Sequence, residues 1–591
     1  MSATGKHQHA SSKDNDQTTT IEQIYSTFAR HLYENDSVKI CTAYLKQSNI
    51  TNAERVLFVT KFLEEFKLFT KLSNVEKSNE LSAQYRENGN LAFKKKQYNE
   101  ALEFYNKSIA YAEITKCTEN LAFGYGNRSA VLFELNFLNE CLMDINRALT
   151  YDFPSAKKDK LITRQNNAKS LLAHDKKAQR VYNFYSDLAE TIENRNDIIK
   201  CATSKIKIEH NQKMGRHVIA VDQIQPGELI AIERPYIAVL LRSANYKNCA
   251  YCCHYTLNPI PCVQCPFVLF CDDKCQKLGY ESFHRYECQL LNSIYKLNIP
   301  KMALLALRIA LVARNEYRNI AEMNETNPSL IGLVPDSTNK DKMILDTNYT
   351  GIHYLIANTE HFPINELLHK TVIASILLNL LKQTDFFDED QSMVEIAAEL
   401  LLRHLQTAPS NFHQITATKV LGEEMSENIS FAEGAFPFLS MLNHSCAPNV
   451  FRISYGTVEV LRALRLINAG EQLFDNYGYH HALLKKIERK LELKDQYFFD
   501  CQCEACENDW PTWSELQAKR RNLPQVEFLE KLTPQILRRN TIEPKKHLPQ
   551  MIKVLMELEK YAPCSELCEL QEAFKEIHFL DGNIFDILKP V

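Results

Sequence analysis

The sequence predicts an α+β multidomain protein with a helical N-terminal region, a β-rich middle split by a cysteine-rich segment and a helical insertion, and a helical C-terminal region. Three observations predict it. Apolar residues recur at helical spacing early in the chain, short β-rich runs begin near residue 205, and eight Cys and His residues fall in four close pairs within residues 249–288. At 591 residues the chain is too long for one hydrophobic core. Its 45% hydrophobic and 24% charged residues are an ordinary soluble composition, and a net charge of −4 gives no basic field to draw it onto nucleic acid. The longest apolar run, residues 372–381, is broken by Asn379 and flanked by Lys370 and Lys382, so it reads as a buried helix and no membrane partner is expected.

Residues 1–20 are polar and expected to be disordered; they lack the apolar core of a signal peptide, which predicts a cytoplasmic and nuclear protein. Thiols stay reduced there, so 18 cysteines point to metal binding rather than disulfides. In residues 21–83 the helical spacing of Ile24, Phe28 and Leu32, then Val56, Phe58, Phe62 and Phe66, predicts two or three helices that cap the neighbouring region. Residues 84–200 read as helical repeats and a helical connector. Gly89 and Asn90 precede Phe93, Tyr98, Ala101, Tyr105 and Ile109, so that small residues let paired helices approach while aromatics fill the groove. Asn127, Ser129, Leu138, Cys141 and Ala148 form a second unit closed by Pro154, and a third is partly visible from Lys160. These units resemble tetratricopeptide repeats. Arg86 and Asn90 lie one helical turn apart, Asn127 opens the next unit, and Lys160 and Arg164 are again one turn apart. Repeats that bind the acidic C-terminal tails of heat-shock chaperones carry such a carboxylate clamp, and the resemblance implies that partner.

Residues 201–248 turn to β-rich runs at 205–208, 218–221, 228–233 and 237–241, with Met214, Gly215 and Arg216 in what reads as a hairpin turn. In residues 249–288 the pairs are Cys249/Cys252, Cys262/Cys265, Cys271/Cys275 and His284/Cys288. Two-residue gaps suit a zinc knuckle and three-residue gaps one helical turn, so eight donors imply two zinc ions. Residues 289–410 read as a helical insertion, with helices at 302–312, 367–381 and 394–405 and a polar loop at 319–351. Residues 411–495 are β-rich again and contain a tight polar feature, Asn443-His444-Ser445-Cys446, and a run that ends in Tyr477. Residues 496–508 supply Cys501, Cys503 and Cys506, and residues 509–591 are helical with Pro breaks. Cys564 and Cys568 read as packing residues there.

Asn443-His444-Ser445-Cys446 with Tyr477 resembles the paired signature of SET-domain protein-lysine methyltransferases. Residues 213–220 resemble that domain's first motif, with His217 where the widespread form has a second Gly, and the Cys and His order resembles the MYND finger. The chain is thus similar to the SET and MYND family, and to its branch with N-terminal tetratricopeptide repeats. The resemblance implies S-adenosylmethionine held by Met214, Gly215, Arg216, Asn411, Asn443, His444, Tyr477 and Phe499, with Tyr477 catalytic and Tyr497 on the lysine channel. It implies three zinc ions: one on Cys249, Cys252, Cys271 and Cys275, one on Cys262, Cys265, His284 and Cys288, and a post-SET ion on Cys446, Cys501, Cys503 and Cys506. Cys253 is then spare, and residues 509–591 are shorter than the family's C-terminal domain. Implied partners are a lysine of a histone or non-histone protein and proline-containing peptides of transcription co-regulators, with a monomer expected. A lysine ammonium has a pKa of about 10.4 and must lose its proton before attack, which an aromatic, desolvating channel favours. The rival is a non-enzymatic adaptor that keeps the SET fold as scaffold.

Overall fold

Thr20 with Gln23, and Thr51 with Glu54, close capping boxes that start helices α1 (Ile21–Glu34) and α3 (Asn52–Glu65), with α2 (Val38–Leu45) between them. The structure, a computed structural model, describes all residues except 1–18, 74, 116, 175–178, 186–187, 189–190, 315–333, 336–342, 388–392, 421–425, 541 and 586–591. The polar N-terminal stretch and most of the loop expected at 319–351 therefore lie outside the described residues. Helices α1 to α3 do not cap the repeats. Phe28, Leu32, Val56 and Leu63 enter one core with the insertion helices Lys301–Val312, Ile364–Leu381 and Met393–Asn411. Asn52 Nδ2 donates to Glu399 at 3.1 Å and Ser375 Oγ to the Val56 carbonyl at 3.1 Å. Helical period reveals an apolar face but not the face it meets, which is why the sequence points to the wrong partner.

The repeats are α4 (Asn79–Lys94), α5 (Tyr98–Tyr111), α6 (Glu119–Glu134), α7 (Leu138–Thr150) and α8 (Ser155–His174). A Cβ at Gly89 would stand 2.6 Å from the Tyr105 ring, so α4 and α5 close only around glycine. Arg128 forks onto Asp144 at 2.7 and 2.9 Å with both side chains fully buried. Asn127 sits in the middle of α6 rather than opening it, and the third unit is one helix that starts at Ser155, directly after Pro154. The connector to Lys200 is not helical over its described residues. Phe184 gives its carbonyl to the Ile584 amide at 2.7 Å and its ring to Phe431 and Phe585, contacts that need an extended strap.

β1 (Ile206–Asn211) and β2 (Gly215–Ala220) form a hairpin that turns at Gly215, whose φ of +63° favours glycine. β3 (Leu229–Glu233) joins Val458–Ala463 and Val450–Tyr455 in an antiparallel sheet, and β4 (Ile237–Leu240) joins Ser426–Ala435 and Phe412–Val420 in another. Between β4 and the insertion sits the finger, fastened by the buried Arg308–Glu287 pair at 2.7 Å. Helix Ile364–Leu381 is long and apolar enough to cross a membrane, but 67% of it is buried in the core, as a central helix of a folded domain would be. The C-terminal helices Leu529–Leu537, Leu548–Leu558 and Ser565–Phe579 cover Phe451, Ile453 and Val460 of the sheet, with Cys564 buried among them.

Candidate active site

Strand Asn443–His444 pairs in parallel with Phe474–Asp475, placing His444 opposite Asp475 and bringing the two motif segments together. The Tyr477 amide donates to His444 Nδ1 at 3.0 Å, so the imidazole proton sits on Nε2, 3.3 Å from Cys446 Sγ. Burial holds the His444 pKa down to about 4, so the ring is a neutral strut. The Tyr477 hydroxyl donates to the Leu442 carbonyl at 2.6 Å. Its phenol is pushed above its ordinary range, first by burial and then by Asp475, with Arg452 opposing. Helix Lys486–Tyr497 ends at Phe498 in the left-handed conformation, φ +62°, and this turn presents Tyr497 and Phe499 to the same cavity; the Tyr477 and Tyr497 rings lie 4.7 Å apart.

That cavity, of about 630 Å³, is lined by Met214, Gly215 and Arg216 from the first half of the domain, by Asn411 at the end of the last insertion helix, and by Asn443, His444, Tyr477, Tyr497 and Phe499 from the second half. Asn443 Nδ2 donates to the Met214 carbonyl at 2.9 Å, which ties the two halves. Arg216 Nη2 donates to the Tyr354 carbonyl at 2.7 Å while its Nη1 is buried without a partner, and burial lowers its pKa to about 10. An orphaned guanidinium nitrogen beside an aromatic wall suits the carboxylate and base of an amino-acid nucleoside such as S-adenosylmethionine. Asn411 spends its amide protons on the Ile356 and Thr407 carbonyls, leaving its oxygen for a ligand. His217 turns away: its Nδ1 lies 3.0 Å from the Gly215 carbonyl and it does not line the cavity, so the motif departure does not fill the site. Sequence reasoning missed Asn358 and Ser440, which line the cavity, and His413 and Arg452, which stand behind it in line from the Ser440 hydroxyl. The only available signal was a lone charge, Arg452, in the otherwise apolar start of a strand.

Among the described residues three four-donor sets form, each with all donor atoms within 4.8 Å of one another: Cys249, Cys252, Cys271 and Cys275; Cys262, Cys265, His284 and Cys288; Cys446, Cys501, Cys503 and Cys506. Sulfurs bound tetrahedrally at about 2.3 Å from zinc are separated by roughly 3.8 Å. The Cys252–Cys271, Cys262–Cys288 and Cys446–Cys506 sulfurs are 3.9, 3.8 and 3.6 Å apart, and His284 offers Nε2 at 3.2 Å from Cys262, so all three sets fit zinc. Cys253 is buried outside them. Of the clamp residues only Asn90 and Asn127 meet each other, and both arginines are taken up by neighbouring groups. Asn127 Nδ2 donates to Asn90 Oδ1 at 2.8 Å, Arg86 to Asn120 at 3.0 Å, and Arg164 to the Gly126 carbonyl and Ser129; Lys160 is exposed.

The sequence profile of the SET domain matches residues 215–478. The protein-lysine N-methyltransferase SMYD4 of Danio rerio is 26% identical over 76% of this chain and 68% of its own length, and that of Homo sapiens 24% over 79% and 71%. The human histone-lysine N-methyltransferase SMYD3 is 24% identical over 53% of this chain and 66% of its own length.

Proposed function

We propose, from the premise that this chain is a SET-domain protein-lysine N-methyltransferase of the SMYD family, that the cavity around Arg216, Asn443, His444 and Phe499 holds S-adenosylmethionine and that Tyr477 orients methyl transfer to a protein lysine. The observation that carries this is one cavity collecting residues from segments more than two hundred positions apart, tied by the Asn443–Met214 bond. When bound, the cofactor supplies a methyl carbon whose bond pair to sulfur leaves as the lysine nitrogen lone pair forms the new N–C bond. Arg216 Nη1 and the Asn411 oxygen offer polar anchors, and Phe499 a flat apolar face. Tyr477, its proton committed to the Leu442 carbonyl, turns oxygen lone pairs toward the amine. Tyr477 and Tyr497 wall the approach and exclude water, which disfavours the ammonium. Cofactor calorimetry and turnover on Tyr477→Phe test the reading. Affinity should stay within about threefold while kcat falls roughly 100-fold, the scale of losing a positioned polar group. Normal turnover in that variant would remove Tyr477 from the chemistry.

The same proposal extends to partners. Acidic chaperone tails fit the clamp if Arg86 and Arg164 exchange their internal bonds for carboxylates, and Arg164→Ala should then abolish salt-sensitive binding of a peptide with that tail. The finger is assigned proline-containing peptides of transcription co-regulators. Thiolate-rich metal sets suit a reducing compartment, in keeping with cytoplasmic and nuclear action.

A further inference from the structure

A second cavity, about 1160 Å³, opens on the other side of the Tyr477 loop against the C-terminal helices. Asp475, Asn476 and Gly478 line it while Tyr477 lines the cofactor cavity, so this turn is the wall between the two. Arg452 lies in that wall. Its Nε is 2.9 Å from Asp475 Oδ2, with side chains 22% and 8% exposed, and its Nη1 donates to His413 Nδ1 at 3.0 Å. His413 Nε2 is 3.3 Å from Ser440 Oγ, which donates to the Asn411 carbonyl at 2.7 Å, so bonds run from the cofactor cavity to Asp475.

The Asp475 carboxylate stands two residues from Tyr477, where a substrate amine must lose its proton. Left bare, it would hold the ammonium form by charge attraction at low effective dielectric. We propose that Arg452 is a positioning residue that masks Asp475, fixing the 475–477 turn and cancelling the carboxylate that would otherwise trap the incoming lysine as its ammonium. The inference rests on the reading of Tyr477 given above. The other groups that face this point are Glu459 from the neighbouring strand, His413, His444, and the phenols of Tyr477, Tyr497 and Tyr479. Glu459 takes the Ser454 hydroxyl at 2.5 Å and burial pushes its pKa to about 7, while His413 is held neutral by burial and by Arg452. None of them can replace the cation.

The test is calorimetric binding, at pH 7 and to the full chain in the presence of S-adenosylhomocysteine, of Nα-acetyl-lysine methylamide and of its uncharged counterpart Nα-acetyl-norleucine methylamide. Arg452→Gln should bind the lysine probe, almost wholly ammonium at this pH, about tenfold more tightly than the native protein does, and should show no gain for the norleucine probe. Arg452→Lys should stay near the native value because it keeps the charge. Arg452→Gln/Asp475→Asn, which leaves no bare carboxylate at the turn, should also return to it. Circular dichroism melts and zinc content establish that each variant is folded. Equal lysine-probe affinity across the folded variants, including none in any of them, overturns the masking role. Failure of the native protein to bind S-adenosylmethionine would instead overturn the cofactor reading, so the two failures are distinguishable.

Discussion

The finger and the closing cysteine set use the same chemistry at opposite scales of sequence. The finger finds all eight donors within residues 249–288, whereas the closing set joins Cys446 to Cys501, Cys503 and Cys506 across a strand pair, a loop and a helix. A knuckle closed by near neighbours folds wherever its metal is present. The distant set can close only after the two motif segments have paired, and His444 then links Cys446 to the Tyr477 amide. Metal binding at this second place therefore registers that the wall around Tyr477 is assembled. At the first it registers only a local turn.

The largest expected effect separates the two. Cys446→Ser should lower zinc content by one ion per chain and methyl transfer by about 100-fold, since losing a ligand costs at least what losing a group behind it does. Cys249→Ser should lose one ion while turnover stays within about threefold. Metal analysis beside a turnover assay reads both, and matching losses would break the comparison. Local and distant closure can be contrasted again without metal. Arg128→Met takes the bidentate partner from buried Asp144, leaving only Arg147 at 3.1 Å, and should cost about 3 kcal/mol in denaturant titration, the low end for a broken buried pair. Asn52→Ala, which removes the long-range bonds to Glu399 and Gln406, should cost about 1–3 kcal/mol. The smallest effect is acidic. Burial depresses His353 to about 3 and holds His404 well below its ordinary value, with the Tyr349 hydroxyl between them. Their stabilising contribution is complete above an unfolded pKa near 6.5 and declines as pH falls toward the folded values. It should fall by about 1 kcal/mol per histidine at pH 5.5, measured by denaturant midpoints. Among the described residues the repeats hold only an exposed His174, so acid should loosen the insertion first.

Legibility in the sequence divides along the same line. Cysteine pairs, helical periods and the two motif segments are written in residues close together, and the cavity around Tyr477 collects the residues they name. The partner of α1 to α3, the extended strap near Phe184 and the run from Ser440 through His413 to Arg452 each depend on a contact whose other half lies far along the chain. Single residues on separate strands leave no periodicity to detect. Asn127 shows a smaller limit: the sequence puts it at the opening of a helix, whereas α6 begins earlier, at Glu119.

Translation makes the distant docking of the first helices consequential. Asn52 meets Glu399, a residue 347 positions further on, so at about 5–20 residues per second a ribosome needs roughly 20–70 seconds to deliver that partner. For that interval Phe28, Val56 and Leu63 have no insertion core to enter, and a nascent chain stalled in the finger would display a greasy helical surface to the quality-control machinery of the cell.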